Sequence, residues 1–207
     1  MIQLLKPLLS FLVLMTFLLS GCTSSPKKQV PLIKQSTQER LANLQQLTQW
    51  RINGKIAFIE TNKRNSATLS WRVNELDETQ KLSLTSYLGI NVLQLESNKN
   101  QHTLQVDGKT YQESNLDMLI YSLTGLTLPT KALSYWLKAI PYQATDVITY
   151  QESTKLPDTL SSYYNNELWQ VRYSNYQQIG DYSLAKKLSI QKGDLLIKIA
   201  INTWALN

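Results

Sequence analysis

From Trp50 onward, apolar side chains recur at every second position, and that period constrains the fold more than any other feature of the chain. A period of two buries one face of a strand and leaves the other in water, which is the signature of half-buried antiparallel sheet. Ile52, Gly54, Ile56 and Phe58 fall on one side, with Arg51, Asn53 and Lys55 on the other. Asn62–Asn65 reads as a polar turn, after which Ala67, Leu69, Trp71 and Val73 alternate with Thr68, Ser70 and Arg72. Leu82 and Leu84 alternate with Lys81, Ser83 and Thr85, and Leu93 and Leu95 with Gln94 and Glu96. Leu104 and Val106 lead into Asp107-Gly108, a strong hairpin turn. Further on, Asn165-Asn166 separates Thr159–Tyr164 from Trp169–Ser174, and Gly193-Asp194 separates Lys187–Gln191 from Leu195–Thr203.

Three stretches follow a helical period instead. Ser36 or Thr37 caps a helix with Glu39 or Arg40 in its first turn and Leu41, Leu44 and Leu47 on its buried face. Ser114 opens a second helical stretch that carries Leu116, Leu119, Ile120 and Leu123 and ends at Gly125. Pro129 begins a third, with Leu133, Trp136, Leu137 and Ile140, closed by Pro141. The expected fold is mainly β within the α+β class: a curved antiparallel sheet covered by two consecutive helices. Such a shape either packs solid or encloses an apolar cavity, and periodicity does not separate the two.

The N-terminus carries a different signal. Leu8–Leu19 is apolar apart from Ser10 and Thr16, long enough for export and short for a membrane span. Leu19-Ser20-Gly21-Cys22 closes it and resembles a bacterial lipoprotein signal, which implies cleavage before Cys22, S-diacylglycerol on its thiol and acylation of its new amine. Residues 1–21 then form the signal peptide, 22–35 a lipidated N-terminus and flexible tether containing Pro26 and Pro31, and 36–207 a single domain. Cys22 is the only cysteine, so the domain relies on packing without disulfides. The formal net charge of +6 suits anionic lipid, an acidic partner or simply a solvated face. No Lys/Arg block is dense enough to suggest nucleic acid.

Catalytic patterns are missing. His102 is the single histidine, so it has no second His or free Cys with which to complete a metal site. G-x-S-x-G, P-loop and G-x-G-x-x-G motifs are absent, and Glu75, Asp77 and Glu78 sit together in a polar turn. The sequence therefore points away from an enzyme, and no cofactor beyond the lipid on Cys22 is expected.

Tyr87-Leu88-Gly89-Ile90 joins two strands where a polar turn is normal. Either Leu88 folds back onto the core, or the tip projects toward a membrane or partner. At this point the mature chain resembles the LolB family of outer-membrane lipoprotein receptors. The resemblance rests on an ordered set: Trp50-Arg51-x-x-Gly54-x-x-Ala57-Phe58, Trp71, Leu88-Gly89, Leu123-Thr124-Gly125-x-x-x-Pro129, Trp136-Leu137, Pro141-x-x-Ala144-Thr145-Asp146, Trp169-x-Val171-x-Tyr173-x-x-Tyr176 and Trp204. Tyr87 departs from the family's Pro-Leu-Gly loop, and Ala185 stands where a Pro often precedes the next strand.

The resemblance implies a half-open antiparallel β-barrel with an N-terminal helix and a helical lid. It implies a cavity for acyl chains, to which the family tryptophans assign Trp71, Trp136, Trp169 and Trp204. Alternation adds Ile56, Phe58, Leu69, Leu84, Leu95 and Leu119 as candidates for cavity or core. Leu88, with Tyr87 and Gly89, becomes the membrane-insertion loop. The implied partners are a LolA-like periplasmic carrier, acylated lipoprotein cargo and outer-membrane phospholipid, met by a monomer on the periplasmic side of the outer membrane. Thr23, in place of an Asp after Cys22, fits outer-membrane delivery in the same scheme.

Overall fold

The computed structural model describes residues 30–125 and 128–206; Cys22 and the leader lie outside them. The described strands are β1 (Gln49–Glu60), β2 (Lys63–Asn74), β3 (Thr79–Thr85), β4 (Asn91–Ser97), β5 (His102–Val106), β6 (Lys109–Glu113), β7 (Val147–Tyr150), β8 (Pro157–Tyr164), β9 (Glu167–Ile179), β10 (Tyr182–Lys192) and β11 (Leu195–Leu206). They form one sheet in the order β6-β5-β4-β3-β2-β1-β11-β10-β9-β8-β7. Every pairing is antiparallel, and β6 and β7 remain as two separate edges, so the sheet curves without closing. The helices are α1 (Thr37–Gln46), α2 (Leu116–Thr124) and α3 (Thr130–Leu137), the last two lying in sequence between the edge strands.

The alternation read from sequence sets the faces. Trp50, Ile52, Gly54 and Ile56 of β1 and Leu69, Trp71 and Val73 of β2 are buried, while Lys55 and Arg72 are exposed. Asp107-Gly108 and Asn165-Asn166 adopt positive φ at both positions (49° and 74°, 51° and 61°), as a two-residue hairpin of right-handed twist requires. Around α1, Ser36 Oγ accepts from the Glu39 amide at 3.2 Å and Glu39 Oε2 accepts from the Ser36 amide at 2.9 Å, a complete capping box.

Several sequence expectations shift: the turn expected at Asn62–Asn65 tightens to Thr61-Asn62, because β2 begins at Lys63 and Asn65 already pairs with Phe58. Helix α2 is capped by Asn115 rather than Ser114: its Oδ1 accepts from the Met118 amide at 3.0 Å. Strand β9 runs on to Ile179 and turns through Gly180-Asp181 into β10, beyond the expected ends. Asn175 at φ 55° breaks the period there, which hides the continuation. Strand β7 was not anticipated, because its four residues expose Val147, Thr149 and Tyr150 and so carry no clean alternation.

The topology gives the sheet two ends. Turns 61–62, 86–90, 107–108, 165–166 and 193–194 share one end, the tip; turns 75–78, 98–101 and 180–181 share the other, the base. The linker joins at the base, where the Ile33 amide donates to Gln178 Oε1 at 3.0 Å and Gln35 Nε2 to the Asp181 carbonyl at 3.3 Å.

Gly54 marks a register shift between β1 and β11, and a Cβ there would stand 2.1 Å from the Ala200 carbonyl oxygen. The two strands approach too closely for any side chain. Gly54→Ala is therefore expected to cost about 1–3 kcal/mol, measured as a fall in melting temperature of roughly 2–10 °C.

Candidate functional site

The helices over the sheet are held differently at their two ends. At the far end, α3 finishes with Ala139 in the left-handed region (φ 54°), the Ala139 amide bonding Trp136 O and the Ile140 amide bonding Tyr135 O. This arrangement leaves the carbonyls of Lys138 and Ala139 pointing out of the terminus. Buried Arg40 of α1 fills that position, donating from Nη1 to Ala139 O at 3.1 Å and from Nη2 to Lys138 O at 3.0 Å and Ser183 O at 3.3 Å. Among the described residues no carboxylate pairs with it; the negative pole of the helix does. Burial draws the Arg40 pKa below the ordinary guanidinium value, opposed by Tyr176 and Tyr173. Lys138, 1 % exposed, returns the contact: its Nζ donates to the Leu47 carbonyl at the end of α1 at 3.0 Å and to Glu75 Oε1 at 2.8 Å.

The near end is a lighter latch. Asp117 of α2 accepts from Thr130 Oγ1 at 2.6 Å and from Tyr164 Oη of β8 at 2.8 Å. Burial, with the Asp117 carboxylate as a second cause, pushes the Tyr164 phenol far above its usual value, so it stays a donor. One half-buried carboxylate thus ties α2 to α3 and both to the sheet.

Beneath the helices lies an aromatic core. Trp71 and Trp204 flank Trp50 at ring-centroid distances of 5.4 and 5.6 Å, and Trp136 of α3 stands 6.0 Å from Trp169 of β9. Trp71 Nε1 donates to Gln80 Oε1 and Trp204 Nε1 to Ala185 O, whereas the buried indole N–H groups of Trp50, Trp136 and Trp169 have no hydrogen-bond partner among the described residues. Ile56, Leu69 and Leu84 join this cluster and half-buried Phe58 packs against it. Leu95 and Leu119 lie apart from it, in a smaller cluster with Leu104 and Leu116 under α2. Leu82 and Leu93 touch both clusters. The ten residues singled out from sequence thus fall into two groups. Trp50 belongs with the first group, since it opens the same alternation as Ile52 and packs between Trp71 and Trp204.

At the tip end, Leu88 is 79 % exposed and Tyr87 fully so, with Ile90 and Val92 exposed beside them. Of the two readings open in sequence, projection is the one adopted. Ser86 holds the loop without the family's Pro: its amide donates to Ile90 O at 2.8 Å, its carbonyl accepts from the Gly89 amide at 3.0 Å, and its Oγ accepts from the Ile90 amide at 3.2 Å. Gly89 supplies the positive φ (79°) that the turn needs.

A cleft of about 540 Å³ also opens at the tip end, between Gly125 at the end of α2 and Glu60, Glu167, Leu168, Lys192 and Asp194. Lys192 Nζ pairs with Glu167 at 2.9 Å and lies 5.4 Å from the Trp169 ring centre, so this polar rim abuts the aromatic core. On β5, His102 Nδ1 is hydrogen-bonded to Ser97 Oγ, and burial, then Lys131, lowers its pKa. Among the described residues, no group of three or more His, Cys, Asp or Glu converges as a metal site.

The family model described as "Outer membrane lipoprotein LolB" matches residues 48–204, which include both lid helices and every described strand except the last two residues of β11. The chain belongs to the LolB family of outer-membrane lipoproteins. Curated relatives agree: LolB of Aeromonas salmonicida is 31 % identical over 95 % of this chain and 97 % of its own length. LolB of Psychromonas ingrahamii is 31 % identical over 97 % and 95 %. Among solved structures, a LolA superfamily protein from Nitrosomonas europaea superposes with TM-score 0.52 at 8 % identity, over 84 % of this chain and 94 % of that one. A DUF1329 family protein from Desulfovibrio piger gives 0.54 at 7 %, over 82 % and 91 %. At such identities the likeness is one of fold, and it confirms the open antiparallel sheet with covering helices. No helix among the described residues is long and apolar enough to cross a membrane.

For this LolB-family chain the two ends of the lid should respond differently. Asp117→Ala is expected to speed amide exchange in α2 and the first turn of α3 about tenfold or more, leaving β1, β2 and β11 unchanged by mass spectrometry. Arg40→Met, which strands three buried carbonyls, is expected to lower global stability by about 2–4 kcal/mol in urea titration.

Proposed function

We propose that this chain is a non-enzymatic receptor that takes acylated lipoproteins from a LolA-like periplasmic carrier. It shelters their acyl chains under the lid and inserts them into the outer membrane without ATP. The domain acts as a monomer facing the periplasm, with Cys22 carrying the anchoring lipid. The observation that carries the reading is the tip. Leu88 is held 79 % exposed by three Ser86 hydrogen bonds, at the end of the sheet where the lid meets the cleft.

The energetics require such a device. One acyl chain of ~16 carbons loses roughly 12 kcal/mol of burial on entering water, and three chains about three times that. Release through solvent is negligibly slow, so transfer needs a continuous apolar route in which each acceptor is the better host. Non-directional burial in an aromatic and aliphatic interior accepts any cargo protein that carries the same chains. Trp71, Trp136, Trp169 and Trp204, with Ile56, Phe58, Leu69, Leu84, Leu95 and Leu119, are the side chains such a site would use once the helices over them moved.

A second reading has its own support. Ile52, Trp136 and Leu137 are fully buried and the core is packed, as in a structural lipoprotein that binds a protein partner at its tip. Mixing this protein with carrier loaded with acylated cargo separates the two. Receptor function predicts that cargo moves without nucleotide, and a solid assembly protein predicts that none moves. Leu88→Glu is expected to keep cargo uptake while reducing its delivery to vesicles at least about tenfold, since a charge in the apolar interior costs 2 kcal/mol or more. Loss of uptake itself would return Leu88 to a structural role.

A further inference from the structure

The outward positions of β1, β2, β9, β10 and β11 carry Arg51, Lys55, Arg72, Arg172, Lys187 and Lys198 and no acidic side chain. Arg51 and Arg72 stand directly opposite each other on β1 and β2. Lys55 and Lys187 are the two cross-strand partners of Ala200. Ser189 of β10 stands between Lys198 and Arg172 in the same way. None of the six makes an ion pair or side-chain hydrogen bond among the described residues, and the neighbouring acid, Glu96 of β4, is taken by Lys81 at 2.9 Å. Like charges directly opposite in a sheet are destabilising. An array five strands wide, about 20 Å across, presents positive charge over the outer, convex face of the sheet.

The linker says which anionic surface meets it. Ile33 is fixed at the base of the sheet, and Cys22 lies eleven residues earlier, a reach of at most about 40 Å. Leu88 is at the opposite end, and β2, with twelve residues, is itself about 40 Å long. With the sheet standing on its tip, the linker would need to be almost fully extended for Cys22 and Leu88 to share a leaflet. With the sheet lying along the membrane it need not be, and the face free of helices is the outer one.

We propose that this outer face docks on anionic phospholipid headgroups of the membrane to which the chain is anchored. Lys55, Lys187 and Lys198 lie at the headgroups, the lid is turned to the periplasm, and Leu88 dips at the edge of the contact. The orientation rests on reading Leu88 as the membrane tip; the charge array does not. Acylated full-length protein would be reconstituted in vesicles of phosphatidylcholine alone or mixed with phosphatidylglycerol, and lysine acetylation followed by mass spectrometry. On anionic vesicles Lys55, Lys187 and Lys198 are expected to react about fivefold more slowly. The protection should vanish near 1 M salt, where the Debye length is about 3 Å. Lys131 on the lid and Lys99 at the base should react equally on both vesicles. Equal reactivity of the three lysines on both vesicles overturns the proposal. So does protection by the carrier in detergent without protection by lipid, which would assign the face to an acidic protein. Cargo uptake measured in parallel separates the two readings: uptake lost with protection kept unseats the receptor alone, and protection lost with uptake kept unseats this docking alone.

Discussion

Two buried cations, exchanged between helices, fix the geometry on which everything else in this molecule depends. Arg40 of α1 ends on the carbonyls that finish α3, and Lys138 at the end of α3 reaches the carbonyl that finishes α1. A buried guanidinium without a carboxylate is normally prohibitive. Here the aligned peptide groups at a helix C-terminus supply the compensating negative potential, and they cannot diffuse away or be protonated. The same contact satisfies carbonyls that a helix end leaves bare. It therefore makes α1, although distant in sequence, part of the lid's foundation.

The contrast with the other end of the lid is one of chemistry as well as strength. Asp117 works through two hydroxyl donors at a half-buried site, where water can replace either partner at small cost. The Arg40 and Lys138 contacts have no such substitute. Under the proposed function, a cover with one buried and one half-buried attachment would open from the Asp117 side, α2 and the start of α3 lifting while the end of α3 stays. Beneath it, the unpaired indole N–H groups of Trp136 and Trp169 show that the closed arrangement leaves some polar capacity unused.

How much of this was legible in the sequence depended on the range of the interaction. Period-two alternation placed β1 to β5 and their buried faces, because burial of an alternating strand is local to the strand. Turn chemistry at Asp107-Gly108 and Asn165-Asn166 was equally local. Strand β7 and the second half of β9 escaped because their side chains are mostly exposed or their period is broken by Asn175. In the sequence Arg40 has the look of an ordinary first-turn residue. Its partners lie about a hundred positions away, and no periodicity reports them. For the same reason alternation marked Leu95 and Leu119 as inward-facing without separating their cluster from the tryptophans.

The sheet that never closes has a consequence of its own. A sealed barrel admits a guest only through its mouth, end first, and a lipid joined to a folded protein has just one free end. Between edge strands β6 and β7 the wall is made of helices rather than hydrogen-bonded strands, so no backbone ladder need break for that side to part. In the receptor function proposed above, a guest would enter laterally, its protein part remaining in solvent throughout, as a key ring is loaded through its split. On that proposal, the missing strand pair would let the fold handle something attached to an object larger than itself.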